Sequence, residues 1–165
     1  DCLGYCAGRT SVWGIMSNAI LNSSQYQNYR RIDLIVIHCS ATRCDRPFPL
    51  EAVIACHRAR GFATVGYHYY VTRDGTVHAG RPLYKEGAHA TGYNRHSIGV
   101  CYEGGLDPHG QTADTRTDAQ KETLLKLMQR LKKDYPHARI VGHRDIPCVA
   151  KDCPCFDARG EYENL

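Results

Sequence analysis

Two histidines and a cysteine sit where a chemical site can assemble. His38 closes an apolar run, His143 follows another, and Cys153 comes ten residues later in Lys151-Asp152-Cys153-Pro154-Cys155. Histidines at the ends of separate strands and a thiolate from a following loop can converge on one point. Three nitrogen and sulfur donors suit a catalytic zinc, because the fourth position stays open. His38 and His143 lie 105 residues apart. Self-contained zinc motifs have short local spacing, so on spacing alone the pattern fits better two surface or hydrogen-bonded histidines and a disulfide-bonded cysteine.

The elements that must position these residues are legible around them. Ile32–Ile37 is rich in β-branched residues, the pattern of a strand buried on both faces, and it delivers His38 at its end. Pro49 opens a helical segment with apolar Leu50, Val53 and Ile54, and Gly61 stops it. Val65–Val71 reads as a second strand, in which Tyr67 and His68 point to opposite faces. Asp74-Gly75 predicts a hairpin turn into a return strand at Val77–Gly80. Residues 81–96 form a long polar connection, and Ser97–Tyr102 is the next strand. Thr117-Asp118-Ala119-Gln120 is a capping box. It opens a helix whose Leu124, Leu127, Met128, Leu131 and Tyr135 recur at helical spacing. Arg139–Gly142 is a short last strand leading into His143, followed by a loop-rich tail. The order implies an α/β fold, a single mixed β-sheet flanked by helices.

With 165 residues, the chain has room for one ordinary domain. Hydrophobic residues at 42% and charged residues at 23% exclude a mostly disordered chain. No apolar run approaches the ~18 residues of a membrane span. A net charge of +4 is too mild to argue for nucleic acid, and it tolerates an anionic polymer such as a cell wall. Residues 1–30 are rich in Ser, Asn, Gln and Gly and show no clean period, so they read as an arm or leader outside a core of residues 31–165.

The nine cysteines invite a disulfide reading as well. Cys39 should face away from His38, while Cys56 and Cys101 read as buried thiols. Cys39 with Cys44, Cys148 with Cys155, and Cys2 with Cys6 are the candidate pairs. Setting Cys153 aside leaves an even number, and pairing would point to an oxidising compartment.

A colinear set of segments resembles the zinc-dependent N-acetylmuramoyl-L-alanine amidases of the T-odd phage lysozyme type, a family that includes the peptidoglycan recognition proteins. The segments are Val36–Thr42, Val65–Tyr69, Arg73–Val77, Ala79–Arg81, His89–Asn94, Ser97–Cys101, His143–Asp145 and Lys151–Asp157, spanning about residues 31–158. The resemblance implies one zinc per chain, held by His38, His143 and Cys153, with Tyr67 and Lys151 as catalytic residues. It places His89 and Asn94 on a segment bordering the groove, as substrate contacts. It implies hydrolysis of the amide between N-acetylmuramic acid and L-alanine, with peptidoglycan or muropeptide stem peptides as partners. A monomer working outside the cytoplasm is the expectation, or a cytoplasmic protein if phage-like. The competing readings are a peptidoglycan-binding module without catalysis, a polymerase-inhibiting protein like the phage lysozyme, and a plain disulfide scaffold. Retention of Cys153 favours the enzyme.

Overall fold

A computed structural model describes residues 30–165, and the Cys2–Cys6 pair and nearly all of the N-terminal arm lie outside the described residues. Arg30, assigned to the arm by sequence, is tied to the core. Its guanidinium donates to the carbonyls of Leu83, Asn94 and Ser97 at 2.9, 3.0 and 3.2 Å.

A five-stranded mixed sheet organises the molecule. Its strands are β1 (Leu34–Cys39), β3 (Tyr69–Val71), β4 (Val77–Ala79), β5 (Ser97–Tyr102) and β7 (Arg139–Gly142), in the spatial order β4-β3-β5-β1-β7. β3, β5, β1 and β7 run parallel, and β4 returns antiparallel on β3 through the predicted turn. Two short strands, β2 (Thr42–Arg43) and β6 (Gly105–Leu106), pair separately, which the sequence did not signal.

All six residues of β1 are buried, as expected of a strand whose apolar run Leu34–Ile37 faces both ways. Strand alternation divides its side chains between two cores. Ile35, Ile37 and Cys39 enter the larger core with Leu124, Leu127, Met128 and Leu131 of helix α2 (Asp118–Asp134). Leu34 and Val36 face Ala90, Val141 and Ile146, and His38 continues on that second face. Helix α1 (Leu50–Ala59) also covers the second face, through Val53 against Tyr70 and Cys101.

The capping box of α2 is complete. Thr117 Oγ1 accepts from the Gln120 amide at 3.1 Å, and Gln120 Oε1 accepts from the Thr117 amide at 3.0 Å. The buried Gln120 amide nitrogen then donates to the carbonyls of Val71 and Glu103, fastening the helix to the ends of β3 and β5.

Several boundaries differ from the sequence reading. β1 continues through His38 and Cys39, so His38 lies within the strand and pairs in register with Cys101. The Val65–Val71 strand shortens to Tyr69–Val71. Its first half turns to the 80–88 connection instead, where Gly66 and Tyr67 carbonyls accept from Ala88 and Arg81 at 2.9 Å. The tail contains a one-turn helix α3 (Ala158–Glu161), capped by Asp157. Arg116 clamps it, reaching both Asp114 and Glu161 while its guanidinium lies 3.3 Å from the Phe156 ring centroid.

Candidate metal centre

The penultimate residue of β1 puts the His38 ring, 2% exposed, at the floor of the site. The 3-10 turn His143–Asp145 follows β7 directly, and the Gly142 amide donates to Asp145 Oδ2 at 2.7 Å to close it. The Arg144 amide then donates to the Cys153 carbonyl at 2.7 Å, which draws the 151–156 loop back over the strand ends. The Tyr102 hydroxyl holds the same loop through the Pro154 carbonyl at 2.6 Å.

These connections bring one donor atom each from His38, His143 and Cys153 within 4.8 Å of one another. His38 Nδ1 and Cys153 Sγ are 3.9 Å apart. Zinc bonds of about 2.0–2.1 Å to nitrogen and about 2.3 Å to sulfur, set tetrahedrally, need donor separations of about 3.5 Å, so the trio fits the ion. The Cys39 amide points at Cys153 Sγ from 3.4 Å, a donor suited to a thiolate.

Burial holds His38 well below the ordinary histidine value, with His89, His143 and the Lys151 charge adding to it. Burial and Lys151 lower His143 as well. Both imidazoles are therefore neutral and free to offer a lone pair.

Behind His38 lies a relay that the sequence did not announce. His38 Nε2 meets His89 Nδ1 at 2.9 Å, and His89 Nε2 meets Ser97 Oγ at 3.2 Å. If His38 Nδ1 faces the metal, its proton sits on Nε2 and is donated to His89, whose own proton goes to Ser97. Burial lowers His89 to about 3, so the ring stays neutral and able to accept. The ring fits because two neighbours lack side chains. A Cβ on Gly99 or Gly87 would lie 2.6 or 2.5 Å from its carbons. A glycine inside an otherwise apolar strand, as at Gly99, was the available signal of such a close approach.

Asn94 holds the same loop. Its Oδ1 accepts from the amides of both His89 and Ala90 at 2.9 Å. His68 turns away from Tyr67, accepts from the Gly99 amide through Nδ1 at 3.0 Å, and lies 2.9 Å from the Lys85 carbonyl through Nε2. Its ring packs edge-on to His89 with centroids 6.0 Å apart.

Tyr67 stands beside the centre with its ring centroid 5.1 Å from that of His38. Burial, reinforced by Cys101 and Cys153, raises its hydroxyl well above the usual tyrosine value, so the phenol keeps its proton. His57, on the buried face of α1, supports it. Its Nδ1 accepts from the Gly66 amide at 2.8 Å, and its ring packs 5.4 Å from Tyr67. Lys151 is exposed on the loop, and its charge reaches both imidazoles.

The disulfide expectations are corrected. All seven described cysteines are free thiols. Cys44 is carried off on the β2–β6 pair, where its amide bonds to Leu106, and Cys155 lies beside Cys39 instead of Cys148. Cys101 is buried as expected, whereas Cys56 is exposed. The buried face of α1 is set by Val53 and His57, four residues apart, and Cys56 falls outside it.

The profile of the N-acetylmuramoyl-L-alanine amidase family matches residues 28–156. The endolysin of Escherichia phage T7 is 37% identical over 139 residues, covering 84% of this chain and 91% of that protein. A peptidoglycan-recognition protein of Drosophila melanogaster is 30% identical over 132 residues, covering 74% of this chain and 68% of that protein. Among solved structures, the N-acetylmuramoyl-L-alanine amidase LysC from Clostridium intestinale URNW superposes with a TM-score of 0.67 at 26% identity, over 80% of this chain and 82% of that one.

Proposed function

Because the chain belongs to the N-acetylmuramoyl-L-alanine amidase family and is such an amidase acting on peptidoglycan, we propose that His38, His143 and Cys153 hold one catalytic zinc per chain. The observation that carries this reading is the convergence of their three donor atoms within 4.8 Å. When bound, zinc supplies Lewis acidity and an open coordination position.

The remaining steps belong to the chain. The scissile amide joins the lactyl group of N-acetylmuramic acid to L-alanine of the stem peptide. Lys151 donates a charged hydrogen bond to the carbonyl oxygen as negative charge develops there. Tyr67, protonated at Oη, orients the attacking water by hydrogen bonding and does not serve as a phenolate base. His57 keeps the Tyr67 ring in place. His89 acts from behind the metal by positioning His38, since both its ring nitrogens are engaged internally, while Asn94, whose Oδ1 holds the His89 and Ala90 amides, contacts the substrate through its side-chain NH2.

Residues 31–165 form the catalytic domain, working as a monomer on stem peptides of peptidoglycan or of released muropeptides. With such a substrate, it acts outside the cytoplasm. No helix among the described residues is long and apolar enough to cross a membrane.

The test pairs metal content with digestion of purified sacculi. The expected result is one zinc per chain, with release of stem peptides that stops on chelation and returns with zinc. Cys153→Ala should lose both the metal and the release. Release that survives chelation in a metal-free protein would overturn the proposal.

A further inference from the structure

Beside the metal centre, on the opposite face of β1, two thiols meet that the amide chemistry does not use. Cys39 Sγ and Cys155 Sγ are 3.7 Å apart, although the residues are separated by 116 positions in the chain. Cys39 is 5% exposed in the larger core, and Cys155 is half-buried at its rim. Space has been kept for both sulfurs. Gly105, at φ +99°, faces them, and a Cβ there would stand 2.5 Å from Cys39 Sγ and 3.6 Å from Cys155 Sγ. Cys155 itself holds a left-handed backbone, φ +67°, which a non-glycine residue adopts only when its surroundings demand it.

We propose that Cys39 and Cys155 form a disulfide when the protein meets a low-molecular-weight disulfide such as oxidised glutathione, and that this bond staples the strand carrying His38 to the loop carrying Cys153. Closing the pair to the ~2.05 Å of a disulfide moves each sulfur by less than about 1 Å. Cys155, the more exposed thiol, enters first. It attacks the glutathione disulfide, giving a mixed disulfide and one glutathione thiol. Cys39 then attacks the Cys155 sulfur and expels the second glutathione thiol. Two protein thiols are oxidised, one glutathione disulfide is reduced, and both protons leave on glutathione.

The bond would span the seam between the two segments that supply the ligands, and it would do so without any metal. It closes a loop of more than one hundred residues, the regime in which a cross-link restricts the unfolded chain most. The metal-free protein should gain the most from it, because only weak contacts such as the Cys39 amide on Cys153 Sγ then join the two segments.

The test equilibrates the zinc-incubated full chain with a glutathione redox buffer, alkylates the remaining thiols, and maps peptides without reduction. The expected product links Cys39 to Cys155 and leaves the other five described cysteines alkylated once the protein is denatured. After chelation, the oxidised protein should melt about 5–10 °C above the reduced one, and Cys155→Ser should abolish both the link and the difference. Alkylation of both thiols, a Cys39–Cys153 link in their place, or a melting difference that persists in Cys155→Ser would overturn the proposal. Zinc content, measured on the same samples, reports separately on the ligand assignment.

Discussion

One side of the metal centre is made of sheet and the other of loop, and the two sides are stabilised differently. His38 is a strand residue between β5 and β7, nearly inaccessible, with its outer nitrogen fixed by His89 and Ser97. Cys153 and Lys151 ride on an irregular segment whose backbone is held by three anchors: the Arg144 amide, the Tyr102 hydroxyl and the Arg116 clamp on Phe156. The sheet side is packed before any ligand arrives. The loop side presents its charge to solvent, where a substrate can reach it. A hydrolase needs both, a rigid support for the ligand and an accessible donor for the oxyanion.

The largest contrast should come from the loop. Lys151→Ala removes an exposed charge and no packing, so folding should stay within about 0.5 kcal/mol of the parent. Release of stem peptides should nevertheless fall by about 10²–10³, the usual cost of losing one oxyanion donor. Zinc content should be unchanged. A variant that lost metal along with activity would move Lys151 from catalysis to assembly of the site.

On the sheet side, acid should reverse that pattern and cost folding. Burial pulls His68 down to about 4, and it accepts from the Gly99 amide as a neutral ring. Between about 6.5 and 4 the unfolded chain binds a proton that the folded chain refuses, so stability falls as pH is lowered through that window. The loss amounts to about 3 kcal/mol at its lower end. Urea midpoints of the metal-free protein at pH 7 and pH 4.5 would read it. His38, His89 and His143 are held neutral by burial as well and add to the same slope, so His68→Gln should remove its own share and leave theirs, and an unchanged slope in that variant would assign the acid sensitivity to those groups alone.

The same division governs how much could be read from the chain. β1 was legible because burial on both faces leaves an unbroken apolar run, and α2 because its capping box and its Leu124–Leu131 stripe agree. The ligands His38, His143 and Cys153 were proposed from their places at element ends and from the resemblance, with no local spacing to join them. What stayed hidden depends on contacts remote in sequence. Nothing near His57 says that it accepts from the Gly66 amide, and nothing near Ser97 says that its hydroxyl meets His89 Nε2. The 65–68 segment misled because β-branched and aromatic residues suit both a ladder and the packed turn that replaces it. The cysteine pairings failed because thiols close in sequence are not thereby close in space, whereas Cys39 and Cys155 meet from opposite ends of the domain.

The relay behind His38 gives the sharpest way to separate positioning from chemistry. His89→Ala leaves the three donor atoms in place but frees the outer nitrogen of His38, so the ring loses both its tautomer preference and its orientation. Loss of such a partner weakens metal binding by about 10–100-fold. Competition against a zinc chelator measures this without any substrate. Two further variants decide the cause. His89→Gln keeps an amide oxygen that can accept from His38 Nε2 and should recover part of the affinity. Gly99→Ala leaves His89 in the sequence but places a Cβ where its ring stands, so it should weaken zinc binding in the same direction. If Gln binds no better than Ala, the ring acts only by filling space, and the sheet side supports its ligand by packing alone. If Gln recovers and Gly99→Ala does not, the hydrogen bond from His38 is what prepares the metal centre on that side.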